Sequence, residues 1–412
     1  MPNEFTKADW TAIRKELAKN AEDYGLPPRK YGYVYAASFN IRKLGSLSKR
    51  SDETMQFFAD TCRQFDLVAV QEVMPDTEGI LRLCELMGPE YALLVSDIVG
   101  ENPGEEGNAE RLAFIYNTSL LFPTGLIGQI SASRKSIFNV LNQKQQLLSD
   151  KLDKARLKHQ DLISQGKKSS TSPLTISSVG TFVQYIRTPY VAGFEARGHP
   201  GADHYRFVAV NAHLLYGDRV QDRRDEAREL FRWIIATVKD RDQNVLLLGD
   251  LNFDFDNEAN DRKRVAKEFK ELGGFGEGAD KIIAGFPFIF PRKDPPQFST
   301  RKDESFRTNV VLNQTFDQIG IYTKDPRANR LATTEDGHLW GEPFEDEPEA
   351  TYPDYGVFNY ANLFSRALNG KVIDELTKEE KKAFINRFQH EVSDHMPIWV
   401  RIPLPLPSPT FD

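Results

Sequence analysis

The hydrophobic and polar positions of this chain follow two periods, and each period predicts a different element. Short apolar runs, several of them ending in a polar residue, are typical of β-strands. Runs with apolar residues at i, i+3, i+4 and i+7 predict helices between them. The predicted strands are 34–40, 66–72, 91–95, 111–116, 182–186, 205–213, 244–250 and 396–402, and the predicted helices are 6–24, 52–65, 78–87 and 219–239.

The order of these elements predicts the fold class. Strands alternate with helices, and several strands follow one another directly, so we expect a mixed α/β sandwich. The stretch 244–250 is apolar until its charged end, which predicts a strand buried on both faces. Helix 219–239 carries one apolar stripe, which predicts that one helix face packs on a sheet.

A polar, helix-prone stretch at 135–165 interrupts this pattern. Its apolar residues recur seven apart, but polar residues occupy some of the second positions, so the heptad seam is broken. This pattern predicts either a helical hairpin packed on the body or an intermolecular coiled coil. A second stretch, 336–356, is rich in Glu, Pro, Gly and Asp and is typical of a long surface loop.

Length and composition are those of a soluble globular protein with a large core. The chain has 412 residues, of which 40% are apolar and 27% are charged. We expect an N-terminal helical extension at 1–30 and one main domain at 31–404. That domain would carry the helical insert near 135–168 and be followed by a tail at 405–412.

Apolar runs, targeting signals, cysteines and net charge bear on the cellular location of the protein and on its ligands. No apolar run reaches the roughly 18 residues that span a bilayer, and no secretory signal is apparent, so we expect a cytoplasmic protein without a membrane span. Cys62 and Cys84 need no oxidising compartment, and we expect buried free thiols. A net charge of −7 argues against a large electrostatic grip on nucleic acid, but it leaves room for local basic contacts.

Short polar motifs at the ends of the predicted strands carry the candidate chemistry. Polar groups placed repeatedly at strand ends predict loops that converge on one site. Carboxylates, side-chain amides and two histidines are the groups used in metal-assisted attack of water on a phosphate ester. In chain order the motifs are Ser38-Phe39-Asn40, Gln71-Glu72-Val73, Glu110-Arg111, Asn211-Ala212-His213, Gly249-Asp250-Leu251-Asn252, Asp317-Gln318 and Ser393-Asp394-His395.

Asp250 and Asn252 form the most specific pair among these motifs. Residues i and i+2 of an extended segment point to the same side, so both would face one pocket. There the Asp can accept a proton from water or orient it, and the Asn can donate a hydrogen bond to a phosphoryl oxygen. Taken alone, the pair also fits an ordinary Asx turn after a strand.

Glu72 is a candidate metal ligand. It follows a run of apolar residues typical of a buried strand, where a carboxylate is costly unless it is paired or metal-bound. Hard cations such as Mg²⁺ take oxygen ligands, often one or two carboxylates with water or phosphate. Glu72 and Asn40 suit that preference.

The two candidate histidines, His213 and His395, end or begin predicted strands. A catalytic histidine needs a partner that holds its tautomer and charge, and Glu110 and Asp317 lie at comparable strand positions. Taken singly, each of these residues also fits a non-catalytic role. A lone histidine before a strand can be a surface residue, and the two carboxylates can form ordinary surface ion pairs.

In this order the motifs resemble those of the endonuclease/exonuclease/phosphatase superfamily, the DNase I-like fold. The resemblance covers most of residues 32–402 and is nearest the DNase I-like nuclease branch through Ser-Phe-Asn-Ile-Arg and Gln-Glu-Val. It implies a four-layered α/β sandwich of two mixed β-sheets flanked by helices, with the helical insert added. It also implies an Mg²⁺-dependent phosphodiester hydrolase acting on nucleic acid, with Mn²⁺ as an alternative ion.

The resemblance further implies a role for each motif residue. Glu110 would pair with His213, and Asp317 would orient the second histidine. The metal side would be Glu72, Asn40 and Asp394. The catalytic set would be His213, Asp250, Asn252, His395, Glu110 and Asp317. The substrate phosphate would be contacted by Arg187 and Asn252.

Departures from the family pattern bear on the substrate. Family nucleases of the pancreatic type reach into the minor groove with an Arg and a Tyr, where this chain has Met74 and Asn108. That mode of holding a duplex is therefore not expected. The insert could instead shape substrate access or self-association. Alternatives are a phosphatase or lipid phosphodiesterase of the same superfamily, or a binding protein that kept the fold and lost turnover.

Overall fold

Two six-stranded sheets form the centre of the molecule. The computed structural model describes residues 4–26, 28–99, 109–131, 149–166 with short gaps, 185–216, 220–241, 243–252, 282–288, 301–302, 305–324 and 354–405. The first sheet contains β1 (Tyr33–Leu44), β2 (Leu67–Val73), β3 (Tyr91–Val95), β4 (Arg111–Asn117), β13 (Asp354–Val357) and β14 (Ile398–Pro403). Its strand order is β13-β14-β1-β2-β4-β3, with β1 and β2 parallel and the other pairs antiparallel.

The second sheet is built in the same way around one parallel pair. Its strands are β5 (Leu121–Gln129), β6 (Tyr190–Ala196), β7 (Tyr205–His213), β8 (Asn244–Asp250), β9 (Ile283–Gly285) and β12 (Asp317–Thr323). They lie in the order β5-β6-β7-β8-β12-β9, and only β7 and β8 run parallel among these pairs. Two further short strands, β10 (Arg301–Lys302) and β11 (Ser305–Phe306), pair with each other.

Strand β8 of the second sheet is buried on both faces, as the apolar run at 244–250 predicted. Side chains alternate across a strand with a period of two. Leu246 and Leu248 belong to the large core that includes the first sheet, whereas Val245 and Leu247 belong to a second core. The second core also contains one face of a long helix, so β8 lies between two apolar layers.

Helices cover the outer face of each sheet. They are α1 (Lys7–Asn20), α2 (Asp52–Cys62), α3 (Glu78–Met87), α4 (Val220–Arg241), α5 (Tyr360–Asn369) and α6 (Lys378–Glu391), with 3₁₀ turns at Glu22–Tyr24, Leu47–Lys49 and Ile373–Glu375. The apolar stripe of α4 packs on the second sheet through Leu230, Phe231 and Ile234. The other helices belong to the core of the first sheet. The order helices, sheet, sheet, helix confirms the four-layered α/β sandwich of two mixed sheets.

The N-terminal helix α1 is capped and held to the body by one carboxylate. The Thr6 side chain accepts a hydrogen bond from the Asp9 backbone N–H, and Asp9 Oδ2 accepts one from Thr6 N at 2.9 Å. Arg387 on α6 donates to the same oxygen at 2.9 Å. Burial acts to raise the pKa of Asp9, but these hydrogen bonds and the guanidinium together lower it below its ordinary value.

A buried amide joins the two sheets. Asn211 of β7 donates to the carbonyl oxygens of Val70 at 3.0 Å and Ala113 at 2.9 Å, both in the first sheet. It accepts from Gln71 Nε2 at 2.7 Å. Each of these groups would be costly to bury without a partner, so the contacts hold one relative position of the sheets.

Several expectations about elements need correction or lie outside the described residues. The expected strand at 182–186 is described only at its last two residues, which are not in a strand. Strands β5 and β6, the strand β13 at the end of the expected 336–356 loop, and helices α5 and α6 were not expected. Described residues within 149–164 are helical, but most of the heptad seam and the rest of the insert lie outside the described residues.

The expectations about cysteines and membranes can be compared directly. Cys62 is buried and Cys84 is half-buried, and both are free thiols. Burial raises the pKa of Cys62 to about 12, so its thiol stays protonated at neutral pH. Within the described residues, no helix has the length and apolar character that crossing a membrane requires.

Candidate active site

The carboxyl ends of the two parallel strand pairs meet at one place. In the first sheet, Asn40 of β1 pairs with Gln71 of β2, next to Glu72. In the second sheet, His213 of β7 pairs with Asp250 of β8. Each parallel pair brings two strand ends to one edge of its sheet. Because the two sheets face each other, four polar segments meet at this place. This is the convergence that the strand-end motifs predicted.

The Asp250 carboxylate lies at the centre of this group. Its Oδ1 accepts from the backbone N–H of Asn252 at 3.0 Å. Its Oδ2 accepts from Asn40 Nδ2 at 3.0 Å and lies 3.7 Å from His213 Nε2 and 3.6 Å from His395 Nε2. Asp250 is only 1% exposed. One buried oxygen therefore faces two imidazoles and an amide from three different strands or loops.

His213 is contacted on its other side by a buried carboxylate, Glu110, which also contacts Arg187. Glu110 Oε1 lies 2.5 Å from His213 Nδ1 and 2.7 Å from Arg187 Nε, and none of these side chains is more than 5% exposed. Burial raises the pKa of Glu110 to about 7, against the opposing pull of Arg187. Burial, followed by the Arg187 charge, lowers the pKa of His213 to about 4, which favours a neutral imidazole.

Arg187 lies in the site, and two of its nitrogen atoms already have partners within the protein. Its Nε contacts Glu110, and its Nη1 donates to the Leu214 carbonyl at 3.3 Å. The Asn252 side chain donates to the same carbonyl at 2.9 Å. These contacts fit a residue that positions Glu110 and the segment after β7, and direct contact of Arg187 with a phosphate stays a prediction.

His395 is oriented by a second carboxylate. Its Nδ1 lies 2.9 Å from Asp317 Oδ2, and Asp317, the first residue of β12, is paired directly with Asp250 of β8. Burial acts to lower the pKa of His395, but Asp317 and Asp250 outweigh it and raise the pKa well above its ordinary value. The two histidines are thus placed alike around Asp250 Oδ2, with opposite tendencies to carry a proton.

The residues expected to hold a divalent cation offer the oxygen atoms that such an ion prefers. Glu72 Oε1 accepts from Asn40 Nδ2 at 3.1 Å, and Glu72 Oε2 accepts from Lys43 N at 3.0 Å. Asn40 Oδ1 and Asp394 Oδ1 are buried and have no hydrogen-bond partner among the described residues. Buried acceptors without a partner are costly, and a cation would satisfy them.

Asp394 and a group of three other side chains are the remaining acidic features of the site. Asp394 is on the loop before β14, and its Oδ2 lies 3.8 Å from Arg42 Nε. Separately, one ligand atom each from Asp250, Asp317 and His395 lies within 4.8 Å of the others. In that trio the Asp317–His395 contact is a hydrogen bond. Cation binding by Glu72, Asn40 and Asp394 stays a prediction.

Backbone conformation at the site is unusual. Glu72 has a φ of 58° and Asn252 a φ of 50°, and Lys43, which binds Glu72, has a φ of 49°. This left-handed region is costly for residues other than glycine and is enriched at functional sites. At Glu72 it coincides with a break in the pairing register of β2 with β4, which turns the carboxylate away from the ladder.

Sequence reasoning gave no role to two residues that hold this site together: Glu226 was not singled out, and Ser393 was named only as part of its motif. Glu226 on α4 is 2% exposed and accepts from the backbone N–H groups of Ile186 at 2.8 Å and Leu215 at 2.5 Å. Ser393 accepts from Arg42 N at 3.1 Å and donates to the Asn40 carbonyl at 2.9 Å. The sequence carries no signal for Glu226, because its partners are backbone N–H groups.

Comparison with known proteins places these residues in a family context. A family model described as "Endonuclease/Exonuclease/phosphatase family" matches residues 37–301. A deoxyribonuclease from Thioalkalivibrio sp. (strain K90mix) is 26% identical over 236 residues, which cover 55% of this chain. The aligned part spans about half of that relative, 48% of its length.

Solved structures of low sequence identity are also similar. An endonuclease/exonuclease/phosphatase family protein from Bacteroides thetaiotaomicron is 13% identical, with 90% of this chain and 97% of that chain covered and a TM-score of 0.43. A mannosyl-6-phosphatase from Bacteroides thetaiotaomicron VPI-5482 is 12% identical, with 90% and 99% covered and a TM-score of 0.44.

Proposed function

Because this chain belongs to the endonuclease/exonuclease/phosphatase family, whose members are hydrolases acting on phosphoesters, we propose that it is an Mg²⁺-dependent phosphodiesterase that cleaves nucleic acid. The observation that carries the proposal is the pair of imidazoles facing Asp250 Oδ2, at 3.7 and 3.6 Å, each backed by its own carboxylate. The named deoxyribonuclease among the relatives supports nucleic acid as the substrate class.

The side chains have complementary tasks in this proposal. Asp250 and His213, whose lowered pKa favours the neutral imidazole, orient and deprotonate the attacking water from the ends of the two parallel strands. His395, held by Asp317, donates a hydrogen bond or a proton to the phosphate. The Asn252 amide donates one hydrogen to Leu214 and keeps a second for a phosphoryl oxygen.

A divalent ion would be held by Glu72 and Asn40, with Asp394 nearby. When bound, it would neutralise charge on the phosphate and act as a Lewis acid. The oxygen-only donor set favours Mg²⁺ and accommodates Mn²⁺. Two free thiols agree with a reducing compartment, and we propose the cytoplasm as the setting.

The test is a substrate panel with purified protein. Supercoiled plasmid, single-stranded DNA, RNA and phosphoinositides are incubated with Mg²⁺ and, separately, with excess chelator. We expect cleavage of nucleic acid that requires the metal. Turnover of phosphoinositides alone would support a lipid phosphatase instead, and the absence of any turnover would favour a binding protein.

Histidine variants connect this activity to the site. His213→Ala and His395→Ala should each lower kcat by about 10²-fold, the usual scale for a lost general acid or base. The double variant should lose less than the product of the two, because groups that act as one unit are not additive. His204→Ala is a matched control, since that half-exposed histidine pairs with Glu195 outside the site. Near-normal rates for either site variant would contradict the assignment.

We also propose that the insert acts on substrate access or self-association rather than on the chemistry. Replacement of residues 136–168 by a short Gly-Ser linker should leave cleavage of a small phosphodiester intact while changing polymer cleavage or oligomeric mass. Loss of small-substrate turnover in a folded variant would place the insert in the catalytic core.

A further inference from the structure

A short row of aromatic rings in contact with one another leads from the candidate active site to solvent. Phe316 lies directly before Asp317, and its ring centroid is 6.0 Å from that of His395, with an interplanar angle of 38°. Tyr216 packs edge-on against Phe316 at 6.1 Å and 87°. The Tyr216 residue is 69% exposed. We define these two rings, Tyr216 and Phe316, as the aromatic wall.

The backbone beneath the aromatic wall is held in place. Leu214 N donates to the Asp250 carbonyl at 2.9 Å, and Leu215 N donates to Glu226 at 2.5 Å, so the residues just before Tyr216 are fixed. On the other side, the Phe316 carbonyl accepts from Leu251 N at 3.0 Å. The exposed ring is therefore presented by a constrained segment. Fixing the backbone before Tyr216 reduces the conformational freedom that ligand binding has to remove.

We propose that the aromatic wall stacks an unpaired nucleobase next to the phosphodiester that is cleaved. The inference rests on the proposed nuclease function, because it takes the scissile phosphate to lie at His395. Every nucleobase has a π-face, and aromatic side chains beside a phosphate site are a common sequence-tolerant grip on single strands. In a duplex both faces of each base are already stacked, so the wall selects single-stranded or frayed substrate.

A second observation agrees with this choice of substrate. Recognition of a base by stacking requires no groove and no excess positive charge, which suits a chain of net charge −7.

The test compares Tyr216→Ala and Tyr216→Phe with the wild type on two single-stranded oligonucleotides. One carries normal bases, and the other carries a tetrahydrofuran abasic unit beside its single cleavable linkage. For the normal strand, Tyr216→Ala should raise KM by about 5- to 100-fold, the range for loss of one base–aromatic stack, with little change in kcat. Tyr216→Phe should keep the wild-type KM, and the abasic strand should be insensitive to both changes.

A control variant and a binding measurement make the outcomes distinct. Tyr31→Ala removes a still more exposed tyrosine, 81% exposed, that packs on His199 away from the site, and it should have no effect. In an Asp250→Asn background, fluorescence anisotropy of the labelled normal strand should show the same loss of affinity for Tyr216→Ala.

Two results would overturn the proposal in different ways. Cleavage of the normal strand with an unchanged KM in Tyr216→Ala would refute the aromatic wall while leaving the nuclease function in place. No cleavage and no binding of any oligonucleotide by the wild type would refute the nuclease function itself. If Tyr216→Ala instead weakened turnover of a phosphoinositide, the wall would hold a lipid, and the nucleobase proposal would be wrong.

Discussion

Glu226 is the most informative single position to change, because it holds two site segments at once without facing the substrate. Its two carboxylate oxygens accept from Ile186 N, next to Arg187, and from Leu215 N, two residues after His213. In Glu226→Gln one oxygen becomes an NH₂ group, which cannot accept a hydrogen bond. One backbone N–H then loses its partner and faces a second donor.

The magnitude follows from the type of bond that is lost. A hydrogen bond to a charged group contributes about 1.5–3 kcal/mol, and a buried donor left without a partner costs about 1–3 kcal/mol. We therefore expect Glu226→Gln to lower the free energy of unfolding by about 1.5–3 kcal/mol. A displacement of about 1 Å at the reacting groups can cost about 10²-fold in rate, so we expect kcat to fall by about 10- to 100-fold.

The assay combines urea unfolding with steady-state kinetics on a small phosphodiester at saturating Mg²⁺. Kinetics are measured at a temperature where the variant is fully folded, so that loss of stability does not appear as loss of rate. Glu229→Gln is the matched control, because Glu229 lies one turn along α4 and pairs with Arg232 at the helix surface. An exposed pair of this kind contributes about 0–1 kcal/mol.

The reasoning would be refuted by a Glu226→Gln variant that is as stable and as active as the Glu229→Gln control. A variant that is destabilised but keeps its full kcat would show that Glu226 supports the fold without positioning the site. A fall in kcat with an unchanged KM in the folded variant is the result expected of a positioning residue.

Three further predictions follow from individual groups. Glu72→Gln should shift the Mg²⁺ concentration for half-maximal activity upward by at least about 10-fold without unfolding the protein, since a hard cation loses a charged oxygen ligand; an unchanged metal titration would exclude Glu72 as a ligand. Burial acts to raise the pKa of Asp9, but Thr6 and Arg387 lower it overall, so its stabilisation is present above the ordinary pKa and is lost as the pH falls through the folded one. Asp9→Asn keeps an acceptor for Thr6 N but removes the charge. It should therefore lower Tm at pH 7, where a negative charge at a helix N-terminus is worth about 0.3–1 kcal/mol, and by less at pH 3; an equal difference at both pH values would contradict this. Cys62, buried with a raised pKa, should resist iodoacetamide in the native protein and react after unfolding, as measured by mass spectrometry; rapid native labelling would contradict its burial.

The elements that could be predicted are those whose burial is visible in the local pattern. Strand β8 is apolar from Val245 to Leu248, and both of its faces are in fact covered, so its composition alone marks it. Strand β5 was missed because it contains Pro123 and glycines and is largely exposed at the edge of its sheet. An edge strand needs no apolar alternation, since neither a partner strand nor a core demands it.

In the candidate site too, local sequence patterns indicate some of the residues, whereas others depend on tertiary contacts. The residue types at the strand ends, such as Asp250 and His213, were visible because polar groups that end apolar runs are unusual. Glu226 was not visible, because its partners are backbone N–H groups 40 and 11 positions away in sequence. Backbone donors carry no residue identity, so nothing in the printed sequence marks the contact.

Local sequence patterns do not predict how one sheet is positioned relative to the other. Asn40 of the first sheet reaches Asp250 of the second at 3.0 Å, across 210 positions of sequence. That distance depends on the packing between the sheets and on Asn211, whose amide is bound to two carbonyls of the opposite sheet. Strand-end motifs therefore indicate which groups are available for chemistry. The buried amide contacts between the sheets determine that the groups from β1 and β8 meet at hydrogen-bonding distance. A shift of either sheet would separate the proposed metal side from His213 and Asp250 without changing any catalytic residue.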